Sequence, residues 1–272
     1  MTIQHPTIPG SALWVYAHPR QQSLNGELFR AGHDALSRHY NVATSDLYSL
    51  DFDPVLRERD LGSAGARPGA IAVQAGEAYN RDETPADIRT EHAKVAEAEL
   101  LVLQFPLWWY GPPAILKGWL DRVLTENFAY GDMDPDLGVP RRYGDGGLSG
   151  RRALVIVTVG EDDRSLGPRG VSGDLESVLF PLTHGALWFV GIDVLELYVV
   201  YDADGLDGAG VDAEVARLVE RIDGLGETGG TSSEAEHPVP YRRLRDGDYA
   251  GTRALDTDIL PGRTDLGIHR RK

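Results

Sequence analysis

The stretch ELLVLQFPLWWYGPPAILKGWLDRVLTENFAY, residues 99–130, decides the fold of this chain. It begins with Leu100–Phe105, a short apolar run of the kind found in a strand that is buried on both faces of a parallel sheet. Pro106 ends the run, and the aromatic residues Trp108–Tyr110 follow where the chain must turn. Apolar residues then recur at helical spacing from Ile115 to Leu124. The stretch therefore predicts a buried strand, an aromatic loop and an amphipathic helix.

The rest of the chain alternates strand and helix patterns in the same way. Four further apolar runs predict strands on either side of the first one: Ala12–Ala17, Val42–Leu47, Arg152–Val159 and Ile192–Tyr201. Each is followed by a polar turn or loop and then by a helical pattern. Five such units predict an α/β fold with a doubly wound, five-stranded parallel sheet in the order 2-1-3-4-5 and right-handed crossovers.

One long connection has neither a helical nor a strand period. Residues 49–83 are rich in Asp, Arg, Gly and Ala, which predicts a loop. A loop of this length in a compact domain is usually functional or mobile. Later in the chain, Asp174–Phe189 predicts a helix that Pro181 kinks, and Val211–Asp223 predicts the last helix.

The last part of the chain differs in composition. Gly224–Ser233 (GLGETGGTSS) is typical of a flexible linker, and the residues after it offer few apolar anchors. We therefore predict one domain over residues 1–224. A linker and C-terminal extension over residues 225–272 is expected to lie over the body of the protein or over a partner subunit.

Composition limits the classes of function. The 272 residues carry a formal net charge of −15, which argues against a nucleic-acid partner because phosphate backbones are bound by basic surfaces. The chain has no cysteine, which excludes disulfides and thiolate metal sites and fits a cytoplasmic location. No apolar run approaches the roughly 18 to 20 residues of a membrane span. The histidines show no metal-ligand spacing. We therefore expect neither a bound metal nor, given the short apolar runs, an association with a membrane.

The predicted sheet order brings three turns to one edge, where open α/β sheets bind their ligands. The turn His18–Asn25 offers hydroxyl, amide and helix N-terminal N–H groups that suit an anionic phosphate. The aromatic loop offers flat surfaces for a planar ring. Gly160, in the turn Thr158–Glu161, lets backbone N–H groups approach a ring edge. A site for a phosphate, a planar ring and the edge of that ring together indicate a flavin nucleotide. The turn after the first strand contains no GxGxxG or P-loop motif, which argues against a classical dinucleotide or P-loop site.

Several of these segments resemble one protein family. AHPRQQSLNG (17–26), SDLY (45–48) and above all FPLWWYGPPAILKGWLDRV (105–123) followed by FAY (128–130) are similar to the NAD(P)H:quinone oxidoreductases. The resemblance extends more weakly from Ala12 to about Glu196 and does not cover the tail. It implies a flavodoxin-like fold, a bound flavin (FAD, with FMN possible), reduction by NAD(P)H, and a homodimer with the active site at the subunit interface.

The resemblance also implies roles for particular residues. The positions that hold the flavin pyrophosphate and nearby groups are His18, Ser23, Leu24 and Asn25. The loop that lines the isoalloxazine is Pro106, Leu107, Trp108, Trp109 and Tyr110. The turn that contacts the polar edge of the ring is Thr158, Val159, Gly160 and Glu161. The residues beside the reacting centre, where nicotinamide and quinone stack in turn, are Trp109, Tyr110, Tyr130 and Gly160.

Two features depart from the family pattern. Where the better-known quinone reductases carry a Tyr and a His after the fourth strand, this chain has Leu166 and Ser172, so neither can be a proton relay of that kind. Glu161 replaces a glycine and brings negative charge towards the ring, unless it points to solvent. Ser172 and Asp132 are expected at most to contact the acceptor. Tyr130 and Asp132 are expected to serve the flavin of the neighbouring subunit.

The expected function is hydride transfer in two halves at one shared site. NAD(P)H reduces the flavin, and a quinone or similar conjugated carbonyl then takes the hydride. Two alternatives stay open. One is a family member specialised for a single biosynthetic aromatic or enone intermediate, which the missing Tyr and His favour. The other is a flavodoxin-like electron carrier, for which the long segment 112–130 is surplus.

Overall fold

The computed structural model describes residues 10–227, 241–244 and 266–270. The first half contains β1 (Gly10–Tyr16), α1 (Leu24–Leu36), β2 (Tyr40–Asp46), a 3₁₀ segment (Glu58–Ala66), α2 (Ile71–Asn80), α3 (Ala86–Glu97) and β3 (Leu100–Pro106). The second half contains α4 (Ala114–Val123), β4 (Arg152–Thr158), α5 (Leu175–Leu182), a π-helical turn (Thr183–Trp188), β5 (Asp193–Val194), β6 (Tyr198–Val200), α6 (Gly208–Glu227) and a 3₁₀ turn (Leu266–His269).

The strands form one parallel sheet in the order β2-β1-β3-β4-β5, and β6 also pairs with β4. Alternate side chains of β1 enter two apolar layers, since successive side chains of a strand point to opposite faces. Leu13 packs with Trp119 of α4 on one face, and Trp14 packs with Leu218 of α6 on the other. The predicted doubly wound flavodoxin-like sheet is therefore confirmed.

The fifth strand differs from its prediction. Instead of one strand over Ile192–Tyr201, the chain pairs with the start of β4 through β5 and with its end through β6. Residues 195–197 belong to neither strand, although the backbone N–H of Leu195 still donates to the carbonyl of Ala153 at 2.8 Å, so the edge of the sheet carries two short strands. The sequence does not show this break, because Leu195, which belongs to neither strand, is as buried as a strand residue.

The prediction of a loop over residues 49–83 is wrong, because this segment contains the 3₁₀ segment and α2. Its anchor is an ion pair that no periodic pattern reveals. The buried guanidinium of Arg122 donates to both carboxylate oxygens of Asp60, at 2.9 and 3.0 Å, and to the carbonyl of Asp53 at 2.8 Å. A second carboxylate, that of Asp87, accepts from the same guanidinium at 2.8 Å.

The helices near the end of the domain also differ from their predictions. The helix predicted over Asp174–Phe189 is α-helical only to Leu182 and then widens into the π-helical turn, immediately after Pro181. The helix α6 continues to Glu227, so the first residues of the predicted linker are helical. The rest of that linker lies outside the described residues.

Two described pieces of the C-terminal extension pack on the body of the protein. The indole N–H of Trp188 donates to the carbonyl of Arg242 at 3.0 Å, and the backbone N–H of Leu244 donates to the carbonyl of Tyr143 at 3.0 Å. The hydroxyls of Thr183 and Tyr241 lie 2.8 Å apart. In the described ranges, no helix has the length and apolar character needed to cross a bilayer.

His184 makes the stability of this region sensitive to pH. It is 4% exposed and packs against Tyr143, Phe180, Tyr241 and His269. Burial, together with His269, lowers the pKa of His184 from 6.5 to about 4. An unfolded histidine takes up a proton near its ordinary pKa, so the free energy of unfolding should fall by about 2 kcal/mol between pH 7 and pH 5. Urea denaturation at both pH values measures this. The variant H184F should lose most of the pH dependence, and an unchanged profile in H184F would contradict the assignment.

Candidate active site

A cavity of about 380 Å³ opens at the carboxyl ends of β1, β3 and β4, and we refer to it as the switch-point cavity. Its lining residues are His18, Ser23, Leu24, Asn25, Pro106, Leu107, Trp108, Thr158, Gly160, Ala203 and Asp204. The three predicted turns therefore converge as the sheet order requires. The side chains come from separate parts of the chain and are held by the strand ends.

The turn after β1 is locked so that α1 begins at the cavity. The Ser23 hydroxyl accepts from the backbone N–H of Gly26 at 3.1 Å and donates to the carbonyl of Arg20 at 2.7 Å. The Nδ1 atom of His18 lies 3.2 Å from the Ser23 hydroxyl. Gly26 is required here, since a Cβ atom would lie 1.9 Å from the carbonyl oxygen of Gln21. The N-terminus of α1 thus presents N–H groups and a positive dipole end to an anion.

A chain of buried hydrogen bonds joins the strands behind the cavity. The indole of Trp14 donates to the side-chain oxygen of Gln104 at 3.0 Å, and the Gln104 amide donates to the backbone carbonyl of Asn25 at 2.8 Å. The Asn25 amide donates in turn to the Thr158 hydroxyl at 2.8 Å. Sequence reasoning missed Gln104, although a single amide within a buried apolar strand must find partners and is a usable signal.

The aromatic loop is a tight turn with an unusual backbone. Trp108 and Gly111 exchange two backbone hydrogen bonds, of 3.0 and 3.1 Å, and the residues between them have φ values of 51° (Trp109) and 58° (Tyr110). Two positive φ values define a type I′ turn, which favours Asn and Gly rather than aromatic residues. The Trp109 side chain is 99% exposed. Strained backbone of this kind is found at functional sites, and here it keeps an indole out of the core.

Four of the predicted flavin contacts lie outside the lining of the switch-point cavity. Trp109 and Tyr110 stand in the turn that follows Trp108, and Glu161 contacts the Tyr110 hydroxyl. The side chain of Val159 is buried in the core, so a contact between this residue and the flavin would have to involve its backbone. Its backbone is also engaged, because its N–H donates to Val200 at 2.9 Å.

Tyr130 belongs to a different cavity of the same chain. That cavity, of about 440 Å³, lies between α4 and the π-helical turn, and the Tyr130 ring meets Phe189 edge to face at 5.5 Å. Asp132 is exposed nearby. Within a single chain the structure therefore does not bring Tyr130 into the switch-point cavity.

The loop after β6 supplies two lining residues that sequence reasoning missed, Ala203 and Asp204. A Cβ atom at Gly160 would lie 2.8 Å from a carboxylate oxygen of Asp204, so glycine permits this close approach. The signal in the sequence is the acidic segment DADGLD (202–207) directly after the last strand.

The residues present fit an anionic flavin nucleotide. Tyr16 gives an independent sign: its buried hydroxyl makes no hydrogen bond of good geometry among the described residues, and the nearby Ser23 hydroxyl is already engaged with Arg20 and Gly26. Burial raises the pKa of Tyr16 to about 12, so this hydroxyl is a donor at neutral pH. A buried donor calls for an acceptor, and a phosphate oxygen at the adjoining turn would supply one. Hydroxyl, amide and helix N–H groups on one side and aromatic surface on the other match the two ends of such a molecule.

Comparison with known proteins supports this interpretation. A family model described by its flavodoxin-like fold matches residues 11–223. The ribosyldihydronicotinamide dehydrogenase (quinone) of Pongo abelii is 41% identical over 186 residues, which cover 67% of this chain and 78% of that protein. The NAD(P)H dehydrogenase (quinone) 1 of Cavia porcellus is 37% identical over 193 residues, or 70% of this chain and 68% of that protein.

A solved structure agrees over nearly the whole length. The crystal structure of a Klebsiella pneumoniae protein described as a quinone reductase has a TM-score of 0.84 and 34% identity, and the match covers 96% of this chain and 100% of that chain. Fold, site and sequence therefore lead to the same conclusion: the chain belongs to the flavodoxin-like family of oxidoreductases that contains the NAD(P)H:quinone oxidoreductases and the ribosyldihydronicotinamide dehydrogenases.

Proposed function

We propose that this chain is a flavin-dependent oxidoreductase that accepts hydride from NAD(P)H and delivers it to a quinone or a similar conjugated carbonyl. One observation carries the proposal: an anion-binding helix N-terminus, a paired amide and hydroxyl, and a strained aromatic turn meet at one cavity. We further propose FAD as the flavin and a homodimer in which Tyr130 and Asp132 of one copy complete the site of the other.

Each group at the cavity has a role in this proposal. The N-terminus of α1 and Ser23 bind the phosphate groups, and Leu107 and Trp108 line the ring. Thr158 and Gly160 contact the polar edge of the ring. A bound flavin supplies the hydride chemistry, while the protein supplies binding and orientation. The exposed indole of Trp109 provides a flat surface on which donor and acceptor can stack in turn.

Ping-pong kinetics is the expected result of one shared site. Initial rates measured against NADPH at several fixed concentrations of a quinone should give parallel double-reciprocal lines, since the first product leaves before the acceptor binds. Lines that intersect would contradict a shared site.

Heat release of the cofactor followed by mass spectrometry identifies the flavin, and a protein that neither contains nor takes up FAD or FMN would refute the proposed function.

A phosphate-free dihydronicotinamide is the second candidate for the hydride donor. Asp204 lines the cavity, and its lining includes no Lys or Arg among the described residues, so the phosphates of NAD(P)H meet no cation there. The name of the Pongo abelii relative refers to such a donor, ribosyldihydronicotinamide. Stopped-flow mixing with NADPH, NADH and dihydronicotinamide riboside decides between the donors through the rate of flavin bleaching. A simple electron carrier would be bleached directly by none of them.

A further inference from the structure

Three polar side chains form a hydrogen-bonded cluster beside the switch-point cavity, and we refer to Tyr110, Glu161 and Ser172 as the rim cluster. The Tyr110 hydroxyl lies 3.2 Å from one carboxylate oxygen of Glu161 and 3.3 Å from the Ser172 hydroxyl. The Ser172 hydroxyl donates to the other carboxylate oxygen of Glu161. Glu161 therefore uses both oxygens to accept hydrogen bonds from uncharged groups.

The rim cluster joins two loops that surround the cavity. Tyr110 belongs to the strained turn after β3, whereas Glu161 and Ser172 stand near the two ends of the loop between β4 and α5. The backbone of Glu161 is fixed as well, since its carbonyl accepts from the N–H of Asp202 at 2.9 Å. The Tyr110 ring is thus held at its position by a hydroxyl anchor, even though its φ of 58° is unfavourable for a tyrosine.

The charge of Glu161 is not cancelled locally. Among the residues that the structure describes, no Arg or Lys lies within ion-pair distance of this carboxylate, and its partners are two hydroxyls. Glu161 directly follows Gly160, which lines the cavity, and Asp204 lies against Gly160 on its other side. The edge of the site next to the aromatic turn is therefore negatively charged.

We infer that the rim cluster determines which acceptors this chain takes: planar acceptors that are neutral or cationic are admitted, and anionic ones are disfavoured. The Tyr110 ring forms part of the wall against which the acceptor packs, and Glu161 supplies the charge that selects. The inference rests on the proposed function, because it concerns the acceptor half of that reaction. It gives a role to Glu161, which departs from the glycine that the family resemblance implies at this position.

The test compares two acceptors that differ by one negative charge, 2-methyl-1,4-naphthoquinone and 1,4-naphthoquinone-2-sulfonate. The kcat/KM of the sulfonate divided by that of the neutral quinone is measured for the holoenzyme and for E161Q. The ratio should rise about fivefold in E161Q at low ionic strength, which is the size expected for one unit charge acting through partly solvated surroundings. Differences in intrinsic reactivity cancel because the same two quinones are compared in both proteins.

The matched control is E97Q, which removes one negative charge from the exposed end of α3, next to the start of β3 at the opposite edge of the sheet. It should leave the ratio unchanged. Salt provides a measurement that needs no variant: raising the ionic strength should increase the ratio in the wild type and have a much smaller effect in E161Q. An unchanged ratio in E161Q, or an equal rise in E97Q, overturns the inference.

The variant Y110F tests the hydroxyl anchor separately. It retains the ring and the charge of Glu161, so the ratio should stay close to the wild-type value, while the KM of both quinones rises about threefold. An unchanged KM for both would refute the anchor. The rate of flavin bleaching by the donor separates a failure of this inference from a failure of the proposed function. If the donor bleaches the flavin at a normal rate but the ratio is the same in E161Q and the wild type, the proposed function stands and only the role of the rim cluster is refuted.

Discussion

Replacing Gln104 by leucine is expected to weaken flavin binding by about 30- to 100-fold, although Gln104 does not line the switch-point cavity. Its amide donates to the backbone carbonyl of Asn25, and its oxygen accepts from Trp14. Leucine has nearly the same size but leaves both partners unpaired in the core. Each unpaired buried group costs about 1 to 3 kcal/mol, and the turn can reduce this cost only by moving.

The movement matters because Asn25 is the first link to the ligand. Its side chain donates to Thr158, and both residues line the cavity, so a shift of Asn25 displaces two groups of the site at once. The measurement is a fluorescence titration of the flavin-free protein with added FAD and, separately, with FMN. Circular dichroism of the same samples reports whether the sheet is still formed.

Gln74 provides a matched control in the same protein. It is 5% exposed, and its amide donates to the carbonyl oxygens of Ala64 at 3.0 Å and Arg67 at 2.6 Å, far from the site in the sequence. Q74L should lower the free energy of unfolding by a similar amount while leaving the flavin dissociation constant within about twofold of the wild type. Equal losses of flavin affinity in Q74L and Q104L would show that instability, and not the position of Asn25, is responsible.

The sequence allowed the sheet order to be predicted because parallel strands buried on both faces leave long apolar runs. The prediction failed where burial and strand pairing separate: Leu195 is buried but belongs to neither β5 nor β6, so one predicted strand is two in the structure. The prediction of a loop for residues 49–83 was wrong because Arg122, Asp60 and Asp87 hold that segment through charges that are distant in the sequence. Periodicity in the sequence indicates which face of a helix or strand is buried, but it does not indicate which distant residue is the ion-pair partner of a charged side chain.

The site shows the same limit in more detail. The convergence of His18, Ser23, Asn25, Trp108 and Thr158 follows from topology alone, since the carboxyl ends of parallel strands share an edge. Hydrogen bonds between loops do not follow from it. The contact between Tyr110 and Glu161 spans 51 positions of the sequence, and no local pattern encodes it. For Glu161 the sequence left two orientations open, and the structure instead directs the carboxylate to Tyr110 and Ser172.

Replacing Arg122 by methionine is expected to lower the free energy of unfolding by about 3 to 5 kcal/mol, the usual cost of removing one partner from a buried ion pair. Its side chain is 0% exposed and that of Asp60 is 3% exposed, so the carboxylate left behind cannot regain water without local unfolding. The loss has a structural consequence too, because Arg122 joins α4 to the 3₁₀ segment. Urea denaturation followed by circular dichroism measures the change.

Two further variants separate the burial of the charge from the loss of an arginine. Arg38 contacts both carboxylate oxygens of Asp223 at 2.8 Å, but the two side chains are 53% and 36% exposed, so R38M should cost less than about 1 kcal/mol. The double variant R122M/D60L should be more stable than R122M, because it removes a buried carboxylate that has lost its bidentate partner and keeps only the Arg57 N–H and the more distant Arg59. If R122M and R38M destabilise the protein equally, or if D60L worsens R122M, the pair does not act as a buried anchor, and the other contacts of residues 49–83 hold that segment.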